Sequence, residues 1–237
     1  MGTSPAGFTT AHRAPRVLVD GLDLSGKTTL VGAIVAALGE RGVPAVAHRG
    51  MLAERHPLER WLRMTFPLVR QPDSGIVTAA FLLAGFALDR VLVAIAQPRP
   101  TGTVLVQDGY ADRAVAVGMA GGPYLAACLA LRWPRVFASF DVAVYLHAPD
   151  SARSARLAAR SDPDVNDVRS AQDAGYAAAF TAMLVNGVGR RHRRLLVFDT
   201  SVHSPEEMAS AVTALLFPGQ VPDPRQPVSG SLTGQDA

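Results

Sequence analysis

Short β-branched and aliphatic runs alternate along this chain with longer stretches whose apolar positions recur every three to four residues. Arg16-Val17-Leu18-Val19-Asp20 is the first run, and it leads into a glycine-bearing loop. Lys27 to Arg41 then carries helical periodicity and stops at Gly42. Pro44 to Ala47, Thr103 to Gln107, Asp141 to Leu146 and Leu195 to Phe198 read as further strands. These runs lack the polar alternation of a half-exposed strand, so both faces of their sheet must be covered. Strands separated by helices pair in parallel through right-handed crossovers. The pattern predicts an α/β fold with a doubly wound parallel sheet.

The ends differ from the middle. Residues 1–15 are small, Thr- and Pro-rich, and read as a flexible lead; Pro218 to Ala237, with four prolines and three glycines, reads as a disordered tail. The folded domain is therefore expected over 16–217. Ile76 to Gln97 is apolar but holds Asp89 and Arg90, and Val115 to Leu131 holds Gly121, Gly122 and Pro123. Both are expected to be buried helices of a soluble, cytoplasmic protein rather than membrane spans.

Composition narrows the function classes. Of 237 residues, 49% are apolar and 18% charged, which excludes wholesale disorder. One cysteine, Cys128, excludes a disulfide framework and a multi-thiolate zinc site. A net charge of +3, with no basic run interleaved with aromatics, gives no reason to expect a nucleic-acid partner. Of the 23 basic residues only Lys27 is a lysine.

That lysine stands in Gly21-Leu22-Asp23-Leu24-Ser25-Gly26-Lys27-Thr28, a complete G-x-x-x-x-G-K-[ST] directly after a strand and opening a helix. Gly21, Leu24, Ser25, Gly26, Thr28 and Thr29 would turn backbone amides toward phosphate oxygens at the helix N-terminus. Lys27 is a compact charge that reaches the β- and γ-phosphates, where arginine's fork would fit poorly. The Thr28 hydroxyl is a ligand for Mg²⁺. An accidental capping turn would explain the glycines, but not the strand context and the single lysine together.

From Val19 to Thr29 the loop resembles that of the thymidylate kinases, with Asp23 at their acidic position beside the transferring phosphoryl group. A loop aspartate bonding its own backbone is the plainer alternative. Phe86 and Arg90 are similar in type and spacing to the aromatic that stacks on the acceptor base and the arginine that contacts it. They read equally as a core ring and a snorkelling side chain. Val106-Gln107-Asp108-Gly109-Tyr110 resembles the family's strand ending in Asp-Arg-Tyr, which implies a Mg²⁺ role for Asp108 and an acceptor role for Tyr110. The arginine expected to meet the acceptor phosphate is Gly109, and Arg113 stands four residues on. Arg153, Arg156 and Arg160 resemble the arginines of the family's helical lid, though a solvated helix face has the same spacing. Arg49 or Arg55 would serve the acceptor phosphate, and Glu54 is the local candidate base for a hydroxyl acceptor.

The resemblance covers about 16–217 and implies a P-loop kinase with a helical lid that acts as a homodimer. The expected reaction is Mg-ATP-dependent phosphoryl transfer to a nucleoside monophosphate, thymidylate-like. Lys27, Asp23, Asp108, Arg156 and Arg160 would act in catalysis, Thr28 and Asp108 would hold the metal, and Arg49, Phe86, Arg90, Tyr110 and Arg113 would bind the acceptor. The alternatives are a nucleoside or other small-molecule kinase on the same scaffold, or a nucleotide-binding switch without turnover.

Overall fold

The computed structural model describes residues 14–62, 64, 75–95, 103–121 and 124–218. Both expected tails, over 1–15 and 218–237, fall almost wholly outside this range.

Five strands form one wholly parallel sheet: β1 (Arg16–Gly21), β2 (Ala45–His48), β3 (Val104–Asp108), β4 (Val142–His147) and β5 (Leu195–Asp199). Their order is β2-β3-β1-β4-β5, so the chain steps out from β1 to the β2 edge, returns through β3 and continues past β1 to β4 and β5 on the other side. Each expected strand is present, with ends shifted by at most one residue. The reversal opens a crevice at the carboxyl ends of β1, β3 and β4, where open α/β sheets bind their ligands.

The two faces of the sheet are built from alternate residues of the same strands. Val17 and Val19 of β1, Val104 and Val106 of β3, and Val142 and Val144 of β4 pack on one side against α1 (Lys27–Glu40) and the C-terminal helix α9 (Pro205–Leu216). Leu18, Leu105 and Tyr145 point the other way, into a larger core with Val115, Phe140, Leu184 and Phe180 of α8 (Ala174–Ala182). Continuous apolar strands are what a sheet covered on both faces requires. Helix α9 starts with a capping box in which Ser204 and Glu207 satisfy each other's backbone amides.

The expectation of two buried apolar helices is corrected in both places. Residues 75–95 form one unbroken helical rod: α2 (Gly75–Ala80), a π-helical stretch (Phe81–Ala87) and α3 (Leu88–Ile95). One side packs through Leu82 and Phe86, but Ile76, Leu83, Val91 and Ile95 are exposed. By length and composition alone, Thr78–Ile95 would suffice to cross a membrane. Its two charges are accommodated by the protein, with Asp89 buried and hydrogen-bonded and Arg90 exposed. The second stretch divides into α4 (Ala111–Ala120) and α5 (Leu125–Arg132), and Leu125 and Leu129 of α5 face outward.

Candidate functional site

The loop after β1 is held by glycine geometry. Gly21 has φ 152°, and a Cβ there would stand 2.5 Å from the Leu146 carbonyl oxygen, so only glycine lets β1 run this close to β4. Helix α1 begins at Lys27 with no side chain capping its N-terminus. Its first amides stand open at the mouth of the crevice, which is the arrangement an anion needs.

Cations hold the loop from three directions. Lys27 Nζ donates to the carbonyls of Gly21 at 3.0 Å and Leu22 at 2.7 Å, and to Asp23 Oδ1 at 3.3 Å. Arg113, from the first turn of α4, donates to the Gly21 carbonyl at 3.0 Å and forms a short ion pair with Asp23. Arg156, from α6 (Asp150–Ala158), donates to the Leu24 carbonyl at 2.7 Å and to Thr200 Oγ1 at 3.0 Å. Leu24 itself has φ 66°, the one non-glycine residue with positive φ among the described residues. A β-carbon in that region is strained, and the Arg156 bond is one of the contacts that hold it there.

The electrostatics follow from this crowding. Burial would raise the Asp23 carboxyl, but Arg113 and then Lys27 outweigh it and hold the group far below the usual carboxylate range. Burial and Arg113 push the Lys27 ammonium down, against the pull of Asp23, Asp20 and Asp108. Asp20, the last side chain before the loop, is fully buried and receives the Gly21 amide at 2.8 Å. Burial is the main reason its carboxyl rises to about 7, although Arg113 opposes the change.

Thr28 and Asp108 meet at the open edge, where Thr28 Oγ1 donates to Asp108 Oδ2 at 3.2 Å. One hydroxyl and one carboxylate with room for water fit a Mg²⁺ ion, which keeps much of its hydration shell. Among the described residues no group of three or more His, Cys, Asp or Glu side chains forms a denser metal cage.

The remaining sequence-predicted residues are placed differently from these. Arg153 is corrected from lid arginine to internal clamp: it is 1% exposed, its Nε donates to the Ser170 carbonyl at 2.7 Å, and its other nitrogens bind the Ala148 carbonyl and Asp150. Arg160 is exposed and donates to Asp167 Oδ1 at 2.8 Å. Asp167 itself belongs to the capping box that starts α7 (Val165–Gln172). Phe86 is nearly buried and meets Tyr110 edge-on with ring centroids 4.7 Å apart. Tyr110 is 2% exposed, and its hydroxyl donates to Asp89. Arg49, Glu54, Arg55 and Arg90 lie on the surface.

Sequence reasoning missed a second buried polar group at the base of α4. Asp112 accepts from Arg191, from the Tyr145 hydroxyl at 2.9 Å and from His192 Nε2 at 3.2 Å. The Phe140 amide donates to His192 Nδ1 at 3.1 Å, which leaves the ring proton on Nε2, facing Asp112. Burial opposes the charge on Asp112, yet Arg191 and then His192 hold the carboxyl far below its ordinary range. An aspartate next to Arg113 in an apolar helix was the only signal available for it.

No protein-family profile matches this chain, and no sequence of a characterised protein does. Comparison of folds succeeds where comparison of sequences fails. A thymidylate kinase from Candida albicans superposes with a TM-score of 0.58, over 86% of this chain and 91% of that one, at 12% identity. The fold is thymidylate kinase-like. That likeness concerns the backbone alone. The side chains must be read on their own chemistry.

Proposed function

We propose that this protein catalyses Mg-ATP-dependent phosphoryl transfer to a nucleoside monophosphate or a closely related small acceptor. The observation that carries the proposal is the convergence of Lys27, Thr28, Asp108, Asp23, Arg113 and Arg156 on the crevice at the sheet switch point. Four separate segments supply these six side chains, and the loop with its open helix N-terminus lies among them.

The residues divide the work by position. The α1 amides and Lys27 bind the β- and γ-phosphates, with Lys27 turning from the loop carbonyls to the phosphate oxygens. Arg156 is anchored on Leu24 and Thr200, so its guanidinium reaches the donor side without having to order a long free side chain. Thr28 and Asp108 would hold Mg²⁺, which when bound neutralises charge on the transferring group. Asp23 keeps Arg113 beside the loop, and Arg113 is the cation best placed to receive an anionic acceptor. Phosphoryl transfer to a phosphate acceptor needs positioning and charge stabilisation more than a strong base, and the crevice offers the former.

A specific observation favours the second reading, a nucleoside or other hydroxyl acceptor. Gly109 stands at φ 69°, in a backbone region that an arginine at the same position would adopt only with strain. The acceptor phosphate therefore has to be met from Arg113, Arg49 or Arg90, or the acceptor carries none. The test is ADP release from Mg-ATP across nucleoside monophosphates and nucleosides, with Lys27→Ala as control. Turnover on a monophosphate that vanishes with Lys27→Ala supports the first reading, and turnover on nucleosides alone supports the second. Tight ATP binding with no turnover on any acceptor would leave only the switch.

We also propose that the protein is a homodimer. An apolar groove of about 620 Å³ between α2 and α5 is lined by Ile76, Leu83, Leu125, Leu129 and Trp133. These large side chains are exposed, and a second copy covering them would remove them from water. The mass in solution, measured for the protein and for Leu125→Glu, decides it.

A further inference from the structure

Three segments of the acceptor half meet at one buried carboxylate. Asp89, in α3, is fully buried. Its Oδ1 accepts the Ala53 amide at 2.7 Å, and its Oδ2 accepts the Leu52 amide at 2.9 Å and the Tyr110 hydroxyl at 2.5 Å. Burial, with Asp89 beside it, raises Tyr110 far above the ordinary tyrosine range, so the phenol remains a donor at any working pH. Leu52 and Ala53 belong to the irregular segment after β2, which carries Arg49, Glu54 and Arg55. Tyr110 follows Asp108 and Gly109. Asp89 itself stands between Phe86 and Arg90.

The irregular segment has no sheet or helix to satisfy its backbone, so side chains must do it. Gln107 serves from the other side: its amide donates to the Gly50 carbonyl at 3.0 Å and to the Gly109 carbonyl at 2.8 Å, and its oxygen accepts from His48 at 2.7 Å. His56 adds a third tie, donating from Nε2 to the Gly85 carbonyl at 3.1 Å. Asp89 is the only charged group among these ties. A buried carboxylate surrounded by neutral donors is a costly way to stabilise a core, and an apolar side chain of similar volume usually serves stability as well or better. What the carboxylate provides is direction, since it fixes two consecutive amides and a phenol in one arrangement.

We propose that Asp89 is the positioning residue of the acceptor half of the crevice, holding the segment after β2 and the Tyr110 ring in register with the helix of Phe86 and Arg90. The kinetic consequence rests on the kinase reading above; the structural consequence does not. Asp89 makes none of the contacts that hold Lys27, Thr28 or Arg156, so loss of its bonds falls first on the acceptor half.

Two variants and two readouts test this. Asp89→Asn keeps the volume but offers one acceptor oxygen in place of two, and Tyr110→Phe removes a single hydrogen bond. Amide hydrogen exchange is measured first. In Asp89→Asn, protection of residues 50–56 is expected to fall by about tenfold or more, while that of 21–28 stays unchanged. Steady-state kinetics follow. The acceptor KM is expected to rise about tenfold or more in Asp89→Asn and about threefold in Tyr110→Phe, with the ATP KM within about twofold of wild type. Unchanged protection at 50–56 overturns the proposal whether or not the protein is a kinase, as does an ATP KM that rises in step with the acceptor KM. If wild type turns over no acceptor, the kinase reading fails and the exchange experiment alone decides the role of Asp89. Should Asp89→Asn not fold, Tyr110→Phe carries both measurements.

Discussion

The donor and acceptor halves of the crevice are built in opposite ways. On the donor side the chemistry belongs to one short segment: Gly21 to Thr28 form the loop, and Lys27 bonds to carbonyls five and six residues before it. Arg113 and Arg156 come from afar, but both dock on that loop. On the acceptor side no segment is self-sufficient. The aromatic rings of Phe86 and Tyr110 turn inward, Arg49 and Arg90 turn outward, and the segment between them depends on Asp89 and Gln107. A local motif tolerates wide divergence elsewhere, whereas an assembled half can change its ligand by altering any one of several ties. The comparison predicts graded losses confined to the acceptor on the acceptor side and near-complete loss of turnover on the donor side.

The sharpest way to break that contrast is at Lys27. Lys27→Ala should lower kcat/KM by about a thousandfold or more while leaving the fold intact, because a compact charge at the β- and γ-phosphates is lost. Lys27→Arg should recover little, since the planar fork does not fit the space. Steady-state assays with thermal melts separate the two effects, and an active Lys27→Ala protein would remove the donor half from the mechanism.

The Asp23–Arg113 pair is the seam between the halves. Arg113→Ala should cost about 10–100-fold in kcat/KM for an anionic acceptor and little for ATP binding. A double-mutant cycle with Asp23→Ala should give a coupling of about 1–2 kcal/mol in denaturant unfolding, as expected for an ion pair that is mostly removed from water. Additive losses would show that the two side chains act separately.

This division also explains what the sequence revealed. The parallel sheet was legible because Val17 to Val19, Val104 to Val106 and Val142 to Val144 are continuous apolar runs, a direct consequence of burial on both faces. The phosphate loop was legible because its geometry depends on neighbours in sequence. The roles of the arginines were not. Arg153, Arg156 and Arg160 share one helical spacing, yet the first is an internal clamp, the second reaches the loop, and the third ties a helix cap. Only tertiary partners distinguish them: Ser170, Leu24 and Asp167 lie 17, 132 and 7 residues away. Asp89 and Asp112 were invisible as hubs for the same reason.

Asp20 offers a pH test of the donor half. Its carboxyl rises to about 7 in the folded protein, mainly through burial, against 3.8 for an unperturbed aspartate. Because the folded value is raised, the folded state holds the proton between those limits while the unfolded chain has lost it. The favourable contribution is full below about pH 4 and is lost as pH rises through about 7. Wild type should therefore lose stability relative to Asp20→Asn over that window, with no further divergence above it. Denaturant midpoints measured from pH 4 to 8 check this, and parallel curves would mean that Asp20 ionises normally.

The smallest effect concerns backbone strain at the tip of the loop. Leu24 has φ 66° and Gly109 has φ 69°, so the same left-handed conformation carries a side chain on the donor side and none on the acceptor side. A Cβ at Gly109 would come no nearer than 3.9 Å to the Arg113 side chain, so backbone strain rather than a clash governs substitution there. Left-handed backbone costs an L-residue about 1–2 kcal/mol, and the greater freedom of glycine in the unfolded chain returns part of that. Leu24→Gly should thus stabilise by about 0.5–1 kcal/mol, and Gly109→Ala should destabilise by about the same amount, a Tm change of roughly 1–4 °C in each direction. Opposite signs would place the strain in the donor loop, where Arg156 holds the Leu24 carbonyl. A loss of stability in Leu24→Gly would mean that packing of the leucine side chain outweighs the strain, and the loop would then be held by its contacts rather than against its own preference.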